Sequence, residues 1–141
     1  MHFEATHTVR FADCDPAGIV FFPQYLKMVN SHVEHWFDDG LGISYAGMIA
    51  QRRTGLPTVR LEVDFTAVSR HGDRLLQRLS LLHLGRTSLR LRHEFVGADD
   101  GVLRMRVLQV LVCTSLETHR PQPIADDIRA AMRPYLLENA E

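Results

Sequence analysis

Pro23-Gln24-Tyr25-Leu26-Lys27-Met28-Val29-Asn30-Ser31-His32-Val33-Glu34-His35-Trp36-Phe37-Asp38-Asp39-Gly40 is the stretch on which the fold turns. Tyr25, Leu26, Met28, Val29, Val33, Trp36 and Phe37 recur at spacings of three and four, the period of a helix with one broad apolar side. Pro23 suits a first helical turn, where a missing N–H costs nothing. Gly40 is the expected C-terminal cap. The spacing predicts a helix over 23–39, buried on much of its circumference, and such a helix needs a surface to pack against.

That surface lies on both sides of it. Upstream, Phe3, Ala5, His7, Val9 and Phe11 alternate with Glu4, Thr6, Thr8 and Arg10, which predicts a strand over 3–11 with one buried face. It breaks at the turn formers of 13–18. Downstream, 44–53 reads as a shorter helix with Ser44 as N-cap. Four stretches of period two follow, at 58–68, 74–84, 87–96 and 102–116. In the first of these Val59, Leu61, Val63, Phe65 and Ala67 form the apolar side; in the third, Leu89, Leu91, His93 and Phe95 do. Gly85-Arg86 and the run from Gly97 to Gly101 occupy hairpin positions, and 124–136 reads as a short terminal helix. Short turns make the later strands antiparallel neighbours. Only the 23–39 helix is long and apolar enough to cover the sheet they form. The expectation is one α+β domain over residues 1–141, an antiparallel five-stranded sheet wrapped around one long helix. Its open edges predict a homo-oligomer.

Charge narrows the function classes. With 16 basic and 17 acidic residues the net charge is -1, so nothing draws the chain as a whole to nucleic acid or to an anionic membrane. Cys14 and Cys113 form no CxxC or zinc spacing and suit a reducing compartment. The N-terminus has no apolar core of signal-peptide length, and no apolar run approaches a bilayer span. A soluble cytoplasmic protein is expected. Of the eight histidines, His32 and His35 stand three apart, but neither a zincin spacing nor a third ligand accompanies them, so no metal is expected. Cys14 reads as a small buried side chain, since no Cys-His arrangement supports a thiol nucleophile.

The chemistry is concentrated in Asp13-Cys14-Asp15-Pro16-Ala17-Gly18-Ile19-Val20-Phe21-Phe22-Pro23. This run sets acidic residues in a turn just before the start of a helix. Unpaired N–H groups there hold the oxygen of a polarised carbonyl, with Phe22, Gln24 and Tyr25 as candidate donors. An ionised Asp beside them attacks the carbonyl or deprotonates a water that does. Gly18 lets backbone and substrate approach closely. Asp-Pro-x-Gly is equally a common turn, so the residues alone leave Asp15 both readings.

From Phe11 to Tyr25 the run resembles the signature of the 4-hydroxybenzoyl-CoA thioesterase family of hotdog proteins, in which an Asp followed by Pro-Ala-Gly precedes an aromatic pair and an Asn/Gln-Tyr dipeptide. The resemblance implies a hotdog fold and hydrolysis of an acyl-CoA thioester, aromatic or of short to medium chain, to the free acid and CoA. It implies Asp15 as the catalytic carboxylate and the Phe22 backbone N–H as the group polarising the carbonyl. Asn30 falls where the 4-hydroxybenzoyl enzyme has an Asp toward the substrate hydroxyl; an amide hydrogen-bonds there without an anionic charge. Gly85-Arg86-Thr87-Ser88 supplies a basic loop with small donors for the CoA phosphates, with Arg86, Thr87 and Ser88 as contacts; an ordinary charged hairpin is the other reading. No cofactor is implied beyond the CoA of the substrate, and the assembly is a homodimer or a dimer of dimers. Two other classes stay open: a 3-hydroxyacyl-CoA hydratase, whose usual His-Asp pair is not legible here, and a non-catalytic acyl- or CoA-binding module.

Overall fold

In a computed structural model, which describes residues 1–138, the period-two stretches and the helix form the expected layers. The elements run β1 (Phe3–Thr8), α1 (Phe22–His35), α2 (Tyr45–Ala50), β2 (Thr54–Gly55), β3 (Thr58–Phe65), β4 (Arg74–Leu84), β5 (Ser88–Gly97), β6 (Leu103–Val112), β7 (Thr114–Ser115) and α3 (Asp126–Met132). Five strands make one antiparallel sheet in the order β1-β4-β5-β6-β3, and β2 pairs with β7 in a small second ladder. The central strand β5 shows why the sheet curls around α1. Leu89, Leu91, His93 and Phe95 are buried on one face, while Ser88, Arg90, Arg92 and Glu94 alternate with them on the other.

Two apolar clusters fill the space between helix and sheet. Toward the start of α1, Tyr25, Met28 and Val29 pack with Leu75, Phe95 and Val107. Toward its end, Val33, Trp36 and Phe37 pack with Leu81, Leu91 and Met132. Tyr25 donates to Ser69 Oγ at 2.6 Å, so the one phenol of the first cluster is satisfied inside it. Ser44 caps α2, its hydroxyl accepting from Gly47 N at 2.9 Å, as the sequence suggested.

Beyond shifts of a few residues at the ends of β3, β6, α2 and α3, three features differ from expectation. β1 stops at Thr8, because the Asp13 carboxylate accepts from Arg10 N at 2.8 Å and draws the chain into a single 3-10 turn over Phe11–Asp13. Phe11 is therefore 81 % exposed instead of facing inward. The central helix ends at Gly42 (φ +69°), after a widened π turn over Trp36–Leu41, and not at Gly40. Gly40 is small for another reason: a Cβ there would lie 2.8 Å from Trp36 Cδ1 and 3.0 Å from Phe3 Cδ1. Finally, β3 is an edge strand bonded only to β6; its apolar side lies on the same face as the buried Met105, Val107 and Gln109 but is left largely uncovered, with Val59 60 %, Leu61 42 % and Phe65 50 % exposed.

Arg104, on β6, is nearly buried and ties loops together. Its guanidinium donates to Val68 O (2.8 Å), Asp73 (3.1 Å), Asp100 (2.8 Å) and Val102 O (3.2 Å). One side chain thus holds the β3–β4 connection against the β5–β6 hairpin.

Candidate active site

The segment before α1 folds on itself as a small hairpin. Asp15 N donates to Ile19 O at 3.0 Å, Gly18 N donates to Asp15 O at 2.9 Å, and Cys14 pairs with Val20. Gly18 closes this turn with φ +78°, a conformation that favours glycine. The neighbouring loop fixes the hairpin in place: Val20 N donates to Ser69 O, Ile19 pairs with Arg70, and His71 N donates to Gly18 O. At the tip, Asp15 Oδ1 accepts from Ala17 N at 2.9 Å and makes no ion pair among the described residues. The carboxylate borders an open groove of about 480 Å³ with Phe11, Cys14, Gly18 and His71.

Phe22 stands at the first position of α1. Its N–H has no carbonyl four residues earlier to bond within the helix, Pro23 has no N–H, and Gln24 N already donates to Phe21 O at 2.9 Å. Gln24 N is thus engaged, and Phe22, at the first helical position, carries an amide to which the helix gives no partner. The Phe22 ring is 63 % exposed and borders a second, more apolar cavity of about 360 Å³ with Tyr25, Phe65 and Val68. Its ring lies 6.4 Å from that of Phe65, with Tyr25 5.9 Å from the same ring. Within one chain, Asp15 and Phe22 border two different hollows with no lining residue in common.

The other residues singled out by sequence lie apart. Asn30 is exposed on α1, two turns beyond Phe22. Arg86, Thr87 and Ser88 form the β4–β5 turn at the far end of the sheet. Its backbone is held by Arg129 of α3, which donates to Gly85 O at 2.7 Å and Arg86 O at 3.2 Å, and by Cys113 N, which donates to Thr87 O at 2.7 Å. The Arg86 side chain is exposed and joins no ion pair among the described residues. Arg52 and Arg53, at the end of α2, are committed to Asp127 and Glu117. Cys14 is half-buried, its thiol 3.5 Å from Arg10 O; partial burial, with Asp13 and Asp15 nearby, pushes it up and keeps it protonated.

Sequence reasoning missed a polar group on the other side of α1. His7 Nε2 lies 3.0 Å from Asp13 Oδ2, a His-Asp pair that only the register of β1 against the 11–13 turn creates. A groove of about 600 Å³ between β1 and α1 begins there and is bordered farther along by Lys27, Ser31, His32 and Gln77. His32 is 2 % exposed, and neither of its ring nitrogens has a hydrogen-bond partner. Burial, with the His93 and His35 rings close by, pushes its imidazole down to about 3. His93 is pushed down to about 4 by burial, although its Nε2–H donates to Gln109 Oε1 at 2.8 Å. Both rings are neutral at pH 7. Among the described residues no group of three or more His, Cys, Asp or Glu side chains is arranged for a metal, and no helix is long and apolar enough to cross a membrane.

A family model described as the thioesterase-like superfamily matches residues 9–132. The chain is 28 % identical over 130 residues to a 1,4-dihydroxy-2-naphthoyl-CoA hydrolase of Synechocystis sp., covering 92 % of this chain and 94 % of that one. It is 29 % identical over 94 residues to the 4-hydroxybenzoyl-CoA thioesterase of Pseudomonas sp. strain CBS-3, covering 66 % and 67 % of the two chains. Among solved structures, a 1,4-dihydroxy-2-naphthoyl-CoA thioesterase from Synechocystis superposes with a TM-score of 0.86 at 28 % identity over 94 % of this chain and 96 % of that one. A gentisyl-coenzyme A thioesterase superposes with a TM-score of 0.81 at 27 % identity over 92 % and 98 %.

Proposed function

This chain belongs to the thioesterase-like superfamily and has its hotdog fold, and from that premise we propose that it hydrolyses an aryl-CoA thioester with Asp15 as the reacting carboxylate and the Phe22 N–H as the oxyanion donor. The observation that carries this reading is a carboxylate held by one backbone amide at the rim of an open groove, in the hairpin that leads into a helix whose first N–H has no helical partner. Asp15 attacks the thioester carbonyl, or takes a proton from a water that attacks it. The oxygen gains charge and is met by the Phe22 amide. The C–S bond then breaks, and the CoA thiolate leaves and takes up a proton. In the direct route water supplies the second oxygen of the acid; in the covalent route water adds at the Asp15 carbonyl of the acyl-Asp15 anhydride, so that the acid leaves with an Asp15 oxygen and the water oxygen stays in the carboxylate. The named substrates of the relatives are hydroxylated aryl-CoA thioesters. The Phe22, Tyr25 and Phe65 rings give an aromatic acyl group edges and faces to pack on.

The site is completed by a second copy. β3 leaves a row of unpaired backbone groups flanked by exposed Val59, Leu61 and Phe65, a surface that edge-to-edge pairing of two identical sheets covers. Phe65 belongs both to that strand and to the cavity at Phe22, so the partner strand lies against the acyl pocket. Arg86, with Thr87 and Ser88, meets the CoA phosphates, and Asn30 meets the distal part of the acyl group. The work is done in the cytoplasm.

Release of free thiol across a panel of aryl- and alkyl-CoA thioesters tests the reading. Asp15→Asn lowers kcat about 10³-fold or more on the best substrate, whereas near-normal turnover removes Asp15 from the reaction. Single-turnover hydrolysis in H₂¹⁸O separates the two routes, since only attack by Asp15 leaves label in its carboxylate. The hydratase alternative gains one observation, the His7–Asp13 pair. That pair faces the opposite side of α1 from Phe65, and loss of conjugated absorbance from enoyl-CoA would establish it.

A further inference from the structure

The Asp15 hairpin is held differently on its two sides. Downstream, Gly18, Ile19 and Val20 are each bonded to the 69–71 loop. Upstream, residues 10–14 fold mainly on themselves. Asp13 N donates to Arg10 O at 2.9 Å, Cys14 N donates to Phe11 O at 3.1 Å, and the Cys14 thiol lies 3.5 Å from Arg10 O. Among the described residues, the one hydrogen bond from this upstream segment to a strand of the sheet joins Asp13 to His7 of β1. Both bonds to the Asp13 side chain fall on a single oxygen: Oδ2 accepts from Arg10 N at 2.8 Å and from His7 Nε2 at 3.0 Å. An ionised carboxylate only accepts, so Nε2 carries the proton. The arrangement sacrifices apolar burial, because it turns Phe11 out to solvent where continued alternation would bury the ring. A local cost of this kind beside a reacting group points to a role beyond stability.

We infer that Asp13 is a positioning residue for Asp15, an inference that rests on the reading of Asp15 as the reacting carboxylate. Asp13 borders the groove between β1 and α1 and not the hollow at Asp15, so it acts through the backbone and not on the substrate. Its oxygen fixes the point at which β1 hands the chain over to the hairpin, two residues ahead of Asp15. That point, with the loop contacts at the other limb, sets where the Asp15 carboxylate stands relative to the Phe22 amide. The place of the Asp13 oxygen carries the role, and its charge does not. Asparagine can therefore replace it, since one amide oxygen can accept both bonds.

The test compares Asp13→Ala and Asp13→Asn by thiol release on the fastest substrate of the CoA thioester panel. Asp13→Ala should lose about 10²-fold in kcat, the scale of a misplacement near 1 Å, with KM held within about twofold. Asp13→Asn should stay within about threefold of the parent kcat. A purely structural role would lower the urea midpoint without dividing kcat from KM. A double-mutant cycle with Asp15→Asn adds a second readout: once the reacting carboxylate is gone there is nothing to position, so Asp13→Ala should cost no further activity. Should Asp13→Ala fail to fold, His7→Phe removes the bond to β1 alone and should lower kcat about tenfold, again at unchanged KM. Equal losses in Asp13→Asn and Asp13→Ala would assign the role to charge and overturn the inference. Full turnover in Asp13→Ala, full turnover in His7→Phe where it stands in for that variant, or additive losses in the cycle would overturn it as well. Near-normal turnover in Asp15→Asn alone is a different failure, which removes the reading of Asp15 and this inference with it.

Discussion

At the C-terminal end of α1, Trp36 and Phe37 are fully enclosed by β4, β5 and α3, and the π turn that follows is fitted around Gly40 with no room for a methyl group. At the N-terminal end, Phe21 and Phe22 protrude, the first amide has no helical partner, and two open hollows flank the entry. The helix is one continuous element, yet one end is spent on packing and the other is left incomplete. The difference teaches where to look for chemistry: stability is concentrated where side chains interlock, and reactivity where backbone and side-chain groups are held in place with nothing to bond.

Substitutions at the two ends should therefore separate activity from stability. Asp15→Asn, at the open end, should remove about 10³-fold or more of kcat while shifting Tm by no more than about 2 °C, because an amide oxygen still accepts from Ala17 N. Trp36→Ala, at the closed end, should cost about 3–5 kcal/mol in urea unfolding and leave the KM of the remaining folded enzyme unchanged. Between the ends, His32 and His93 make the core sensitive to acid. Their folded values of about 3 and about 4 lie below the ordinary 6.5, so the folded state binds fewer protons than the unfolded chain. Their contribution is complete above pH 6.5 and is lost as pH falls toward 4; by pH 5 each should cost roughly 2 kcal/mol. Urea midpoints measured at pH 7 and pH 5 check this, and an unchanged midpoint would mean that the rings are solvated. Gly40→Ala should destabilise by about 1–2 kcal/mol through its clash with Trp36, with no effect on rate. The smallest effect, about 1 kcal/mol, is expected for Ser44→Ala, which frees Gly47 N.

Periodicity made the layers legible because period two and period 3.6 are properties of single segments. β4 and β5 lie within one residue of their expected limits, and short turns make β4, β5 and β6 neighbours, whereas the placing of β1 beside β4 and of β3 beside β6 instead of β4 is set by crossovers that no turn encodes. What periodicity does not carry is the outcome of contacts between segments. Phe11 continues the alternation of β1 but is turned out by the hydrogen bond from Arg10 N to Asp13. The apolar side of β3 reads as buried, whereas in a single chain it lies on the inner face of the sheet but beyond the cover of the helix, and stays exposed. Gly40 and Gly42 are two residues apart, and only the π turn decides which of them ends the helix. At the site, Asp15 and Gly18 were legible because a turn is local, and the Phe22 amide because a helix start is. The His7–Asp13 pair and the enclosed His32 depend on which strand lies beside α1, and no spacing encodes that.

Arg104 touches neither hollow, yet it governs the wall between them. Its guanidinium grips Val68 O and Asp73, the two sides of the loop whose Ser69 and His71 anchor the Asp15 hairpin and bond Tyr25. A lesion at this one cation would slacken the acyl pocket and the carboxylate rim together. In kinetics it would imitate the loss of a substrate contact, although the nearest reacting atom lies a loop away.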